Sequence, residues 1–255
     1  KGHCLVAEDS LVNQKVIQRM LNKAGLGAVL VGNGKLAVEE VQKQAFDLIF
    51  MDMQMPEMNG YEAAAEIRRL GYTTPIVALT AHAIVGDDKK CYEAGCSDYL
   101  TKPIIREKLY HIFEQYLSVS DTQSPDSGAS VVPAAEPCPI NWPDLLERSD
   151  NDELFVQEII DAWLSKNPQS LAMLTEAVKE GNARQIGVLA HTIKGSAATI
   201  CAEAVARAAY PLEKAGMDGQ LDQVQTLFAQ LQMEFEKLKT FLSVSDWIDR
   251  AKQNK

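Results

Sequence analysis

The chain has 255 residues and a formal charge of −10, with 46% hydrophobic and 24% charged residues. That ordinary globular composition excludes the disordered, collagenous and membrane-embedded classes. The acidic balance and a pI near 5.0 exclude binding to nucleic acid through a basic face, and no run of about 18 apolar residues offers a membrane contact or span. Apolar residues begin within four positions of Lys1, so no secretory signal peptide is expected and the chain reads as a segment of a longer protein. Five scattered cysteines, Cys4, Cys91, Cys96, Cys138 and Cys201, form no CxxC pair, which predicts reduced thiols in a cytoplasmic setting.

In chain order, residues 1–117 alternate short apolar runs with amphipathic stretches. HCLVAED, GAVLV, FDLIFMD, PIVALTA and SDYLTK predict strands; Leu11–Ala24, Lys35–Gln44, Gly60–Leu70, Ile84–Ala94 and Ile105–Leu117 predict helices. Five such units imply a doubly wound parallel α/β sheet covered on both faces. Residues 118–141 carry four prolines and five serines without Lys or Arg, a composition that predicts a flexible linker. Residues 142–255 show helical periodicity and no strand signal. Asp152–Trp163, Pro168–Glu180, Ala183–Ile200, Cys201–Ala215 and Leu221–Phe241 predict an antiparallel all-α bundle with breaks at Gly181 and at Gly216 to Gly219. Asn167 is expected as an N-cap with Pro168 at the first helical position, or the first two helices are one, kinked at Pro168.

In a parallel sheet the carboxyl ends of the strands converge. Glu8 and Asp9 end the first, Asp52 the third and Thr80 the fourth, and Lys102 follows the fifth. Three carboxylates drawn together repel unless a cation sits among them, and oxygen-only ligands favour Mg²⁺. The segments AEDSLVNQ, LIFMDMQMPEMNGYE, IVALTA and DYLTKPI resemble the response-regulator receiver domain, of flavodoxin-like fold, across residues 3–117. The resemblance implies that Asp52 accepts a phosphoryl group and that Glu8, Asp9 and Asp52 hold Mg²⁺ with the Gln54 backbone carbonyl. It further implies that Thr80 and Lys102 grip the phosphoryl oxygens, that Tyr99 changes rotamer with Thr80, and that the Lys102–Pro103 bond is cis. Gly32 to Ala37 also matches the GxGxxA of a dinucleotide fingerprint, but its supposed ribose acid, Asp52, is better explained at the carboxylate site, so Gly32 and Gly34 are read as turn residues.

On a helical wheel of residues 183–200, Ile186, Leu189, Ile193, Ala197 and Ile200 form a core face opposite His191, while Arg184, Gly187, Lys194, Gly195 and Ala198 fall beside it. His191 is therefore expected to face water, with glycines leaving a flat approach path and two cations near an incoming phosphoryl group. LAHTIKGSAATI and the later PLEKAG resemble the histidine phosphotransfer, or HPt, domain over about residues 145–245. This implies that His191 is the phosphorylated residue, Lys194 its electrostatic aid and Gly195 its steric clearance.

A receiver followed by an HPt domain resembles the C-terminal end of a bacterial hybrid sensor histidine kinase. The implied relay runs from an upstream kinase-core histidine to Asp52, then His191, then an aspartate of a downstream response regulator. No Gly-rich nucleotide boxes or dimerisation-helix histidine occur in the chain, so it relays phosphoryl groups rather than drawing them from ATP. The rival readings are a phosphorylation-independent docking module with an inactive receiver and, more remotely, a dinucleotide enzyme.

Overall fold

A computed structural model of the protein describes residues 2–80, 87–117 and 138–253, in two compact units, Lys1–Val119 and Ser120–Lys255. Much of the expected linker, residues 118–137, lies outside the described residues. Its last four residues belong to the second unit: Ile140 is buried, and Asn141 caps a helix and donates its N–H to the Cys201 carbonyl at 2.9 Å.

The first unit runs β1 (His3–Ala7), α1 (Leu11–Lys23), β2 (Gly27–Val31), α2 (Gly34–Lys43), β3 (Leu48–Asp52), α3 (Gly60–Arg69), β4 (Ile76–Thr80), α4 (Asp87–Glu93), β5 (Asp98–Thr101) and α5 (Arg106–Leu117). All four pairings are parallel, in the order β2-β1-β3-β4-β5. The first residues of the helix expected at Ile84–Ala94, through Gly86, lie outside the described residues. Strand side chains alternate between two cores, as the two-residue period requires. Leu48 and Phe50 of β3 join Leu109 and Phe113 of α5 on one face, while Ile49 and Met51 join Ala37, Ala64 and Ile67 of α2 and α3 on the other. With both faces covered, β3 and β4 are buried throughout, which is why they read as continuous apolar runs.

The second unit runs α6 (Trp142–Arg148), α7 (Glu153–Glu180), α8 (Ala183–Thr199), α9 (Glu203–Asp218), α10 (Val224–Leu242) and α11 (Trp247–Gln253). The short helices α6 and α11 have no counterpart among the predicted elements. Their tryptophans, Trp142 and Trp247, pack edge to face with centroids 6.1 Å apart. Asn167 is not an N-cap. α7 runs through Pro168 as one helix, with Asn167 buried inside it; the Asn167 amide donates to the Trp163 carbonyl at 3.3 Å and its oxygen accepts from Ser196 Oγ at 2.7 Å. Packing of Trp163 and Leu174 on either side of the proline into one core outweighs the local breaking tendency. Likewise Gly216 is a buried residue within α9, and that helix ends at Gly219 in a left-handed conformation. The cysteines are unbridged, and burial pushes the Cys4 and Cys96 thiols up to about 12, leaving them unreactive near neutral pH. No helix among the described residues is long and apolar enough to cross a membrane.

Candidate functional site

The carboxyl edge of the sheet gathers the residues expected there. Oxygens of Glu8, Asp9 and Asp52 lie within 4.8 Å of one another, with Glu8 and Asp52 buried. The Lys102 ammonium stands between two of them, 2.6 Å from Glu8 Oε2 and 2.7 Å from Asp52 Oδ2. Its backbone is set by the Lys102 N–H donating to the Thr80 carbonyl at 2.7 Å, and the Lys102–Pro103 peptide is cis. Burial opposes the Lys102 charge, but Asp52, Glu8 and Asp9 prevail and hold its pKa above the usual lysine range. Glu8 is pushed up, chiefly by burial and also by Asp52, against the pull of Lys102.

Asp52 is aimed by its neighbours. Its Oδ1 accepts from the Gln54 N–H at 3.1 Å. The following loop folds back so that Gly60, at the start of α3, donates to the Met53 carbonyl at 3.2 Å. A Cβ on Gly60 would strike the Asp52 carbonyl and lie 2.8 Å from Met53 Cα, so the glycine of MPEMNG permits a close backbone approach. Thr80 is buried at the end of β4. Tyr99 pairs with Ala78, two residues earlier on that strand, and stands edge-on to Tyr92 at 6.5 Å. Alternation puts Thr80 and Tyr99 on the same face of the sheet.

Oxygen donors converge here, and three carboxylates against one ammonium leave two negative charges, a donor set that fits a small hard divalent cation. Such an ion would find Glu8, Asp9 and Asp52 as its side-chain ligands.

In the second unit the structure corrects the expected setting of His191. Its side chain is buried, not turned to water. The wheel assumed one core face, but α8 is packed between α7 and α9, and α9 covers the side that holds His191 and Gly187. Gly187 is buried too. It meets Gly216 of α9 so closely that a Cβ on Gly216 would lie 2.7 Å from Gly187 Cα. This glycine therefore serves helix–helix approach, not access for a partner. Gly195 is half-buried on α8.

Close approach of α9 delivers a residue that the wheel did not single out. Glu213 accepts from His191 Nδ1 at 2.6 Å, and its other oxygen pairs with the Lys194 ammonium. Lys194 also stands 5.5 Å from the Tyr210 ring centroid. Burial alone would raise the Glu213 pKa, but the hydrogen bond and charge of His191, with Lys194, hold it below the usual carboxylate range. An ionised carboxylate only accepts, so Nδ1 carries the proton of this bond, and Nε2 is the ring nitrogen it leaves unengaged. That Nε2 is buried without a hydrogen-bond partner. PLEKAG held the signal: Glu213 is an acid one position after the apolar Leu212.

The family model of the response regulator receiver domain matches residues 4–114, and that of the Hpt domain residues 158–241. The osmosensing histidine protein kinase SLN1 of Saccharomyces cerevisiae is 44% identical over 119 residues, covering 44% of this chain and 10% of that protein. The signal transduction histidine-protein kinase BarA of Escherichia coli is 30% identical over 203 residues, covering 75% of this chain and 21% of the relative. The chain thus spans about a fifth or less of the length of these relatives, which come from Dictyostelium and rice as well as from bacteria and yeast; the expected bacterial origin is not distinguished by them. Among solved structures, the receiver domain of sensor histidine kinase PA1611 from Pseudomonas aeruginosa, with magnesium coordinated in its active-site cleft, is 41% identical. It has a TM-score of 0.43 and covers 46% of this chain and 98% of that one. The receiver of Ssk1 in complex with the yeast histidine phosphotransfer protein Ypd1 is 34% identical, with a TM-score of 0.44, covering 46% and 88%. The chain carries a response regulator receiver domain followed by an Hpt domain.

Proposed function

We propose that the chain takes a phosphoryl group from the histidine of an upstream kinase core onto Asp52, passes it to His191, and delivers it to an aspartate of a downstream response regulator. The observation that carries this reading is that both units hold a nucleophile with a charge-compensating partner: Asp52 beside Lys102, and His191 beside Glu213 and Lys194. In the first step the N–P bond of the donor breaks as a carboxylate oxygen of Asp52 bonds to phosphorus. Lys102 and Thr80 stabilise the equatorial oxygens. Mg²⁺, when bound by Glu8, Asp9, Asp52 and the Gln54 carbonyl, supplies further charge neutralisation.

In the second step the acyl phosphate bond breaks and the His191 Nε2 lone pair takes the phosphorus. The imidazole gains positive charge, which Glu213 balances across Nδ1 while Lys194 faces the phosphoryl oxygens. The covered Nε2 requires neighbouring side chains to shift as a receiver docks, and Gly195 keeps that approach clear. Tyr99 and Thr80 together report the phosphorylation state of Asp52.

The test is labelling of the chain by a phosphorylated kinase core. Asp52→Asn should abolish the acid-stable, base-labile acyl phosphate, and His191→Gln the base-stable phosphoramidate. Undiminished acyl labelling of Asp52→Asn would falsify the assignment to Asp52, and absence of any labelling of the wild-type chain would favour a docking module that does not relay.

A further inference from the structure

We propose that Asn13 and Gln14, neighbours in the first turn of α1, are positioning residues for the metal centre, fixing Glu8 so that its Oε2 alone is presented to a cation. The inference rests on the carboxylate cluster being a divalent-metal site. Glu8 is fully buried, and its Oε1 already accepts two hydrogen bonds, from Asn13 Nδ2 at 2.9 Å and from the Ser10 N–H at 3.2 Å. Its backbone is held as firmly. The carbonyl accepts from Gln14 Nε2 at 2.6 Å, and the N–H donates to the Val31 carbonyl at 3.0 Å. Gln14 Nε2 also reaches that Val31 carbonyl, at 3.3 Å, so one side chain ties the ends of β1 and β2 beneath the site.

The remaining oxygen, Oε2, faces Lys102 at 2.6 Å, and the Glu8 carboxylate lies within 4.8 Å of oxygens of Asp9 and Asp52. Asn13 is buried one helical turn before the core residue Ile17 of α1, where an apolar residue would pack without a polar cost and form helix more readily. An amide is the group that suits the position. It donates to the carboxylate, and it adds no second cation to a cluster whose two net negative charges must draw a divalent ion. A glutamate has three rotatable side-chain bonds, and without Asn13 the carboxyl would turn to find another donor for Oε1, carrying Oε2 away from its neighbours. Partners of this kind, behind a metal ligand, set affinity strongly.

The test is an Mg²⁺ titration of the full chain, followed by amide NMR shifts at the ends of β1 and β3, with thermal melting in chelator as a separate reading of the fold. Asn13→Leu should raise the Mg²⁺ dissociation constant about 10- to 100-fold, with Asn13→Ala as a second variant should the first not fold, and Gln14→Leu should raise it less. In a Glu8→Gln background Asn13→Leu should cost nothing further, because Asn13 acts through Glu8. Folded Asn13 variants with wild-type Mg²⁺ affinity, or losses that add in the double variant, would overturn the proposal. Absence of any Mg²⁺ shift in the wild-type chain would instead overturn the metal-site reading on which it stands.

Discussion

Glu213 and His191, 22 residues apart and on different helices, share a 2.6 Å hydrogen bond in a buried setting, which engages Nδ1 and leaves Nε2 as the ring nitrogen for the proposed transfer. The same carboxylate also pairs with Lys194, so one residue holds both the histidine and the neighbouring cation.

Glu213→Gln should therefore slow phosphoryl transfer to His191 by about 10- to 100-fold, within the range of a lost acid–base partner. The amide no longer obliges Nδ1 to hold the proton and no longer balances the phosphorylated ring. Nitrogen-15 shifts of the His191 ring near neutral pH should show the proton on Nδ1 in the wild-type chain and a mixture of tautomers in the variant. An unchanged ring spectrum together with an unchanged rate would remove Glu213 from the mechanism.

The glycine contact predicts an asymmetry. A Cβ on Gly216 meets backbone, with Gly187 Cα at 2.7 Å and the Ala183 carbonyl at 2.8 Å, whereas one on Gly187 finds its nearest atom, the Met217 nitrogen, at 3.3 Å. Gly216→Ala should destabilise the second unit by about 1–3 kcal/mol through overpacking, despite a helix-propensity gain near 1 kcal/mol. Gly187→Ala should be nearly neutral. Trp142, Trp163 and Trp247 all lie in that unit, so tryptophan fluorescence in a denaturant titration follows it selectively. Equal midpoints for the two variants would contradict the close contact.

Glu213 also gives the second unit a pH dependence of known sign. Its folded pKa lies below the ordinary glutamate range despite burial, because His191 and Lys194 favour its charged form. The stability it contributes is then fully present above the unfolded value near 4.3 and is lost as pH falls through the lower folded value. The stability difference between wild type and Glu213→Gln should be constant around pH 6 and shrink below about pH 4. A difference that grows on acidification would reverse the assignment.

Asp52 and His191 lie on one chain, and the composition of residues 118–137 between their units predicts a tether. A flexible chain of about 20 residues has a root-mean-square reach of about 25 Å, enough for an encounter between two domains whose radii of gyration are near 13 Å. Transfer from Asp52 to His191 should be first order and unaffected by a hundredfold dilution. A mixture of Asp52→Asn and His191→Gln chains should transfer more slowly than the intact protein. Equal rates, or a rate in the intact protein that falls on dilution, would assign the step to transfer between chains.

The local sequence determined much of this protein. Buried parallel strands must be apolar along their whole length, so LIFMD and IVALT are recognisable as such, and a parallel sheet must bring its carboxyl ends together, so Glu8, Asp9, Asp52, Thr80 and Lys102 are legible as one group from their places along the chain. The motif around His191 singled out that histidine for the same reason: its residue types sit within a short run of sequence. Only the tertiary structure decided what surrounds those groups. A helical wheel records one helix and cannot represent a neighbour on each side, so it turned His191 and Gly187 to water where α9 covers them. Nor could it show Glu213, which reaches the imidazole because Gly216 of α9 approaches the α8 backbone at Gly187. Asn13 and Asn167 were silent in sequence because a buried amide takes its meaning from the partner it meets, Glu8 in one case and Ser196 in the other, and those partners are fixed by packing between elements, not by spacing along the chain.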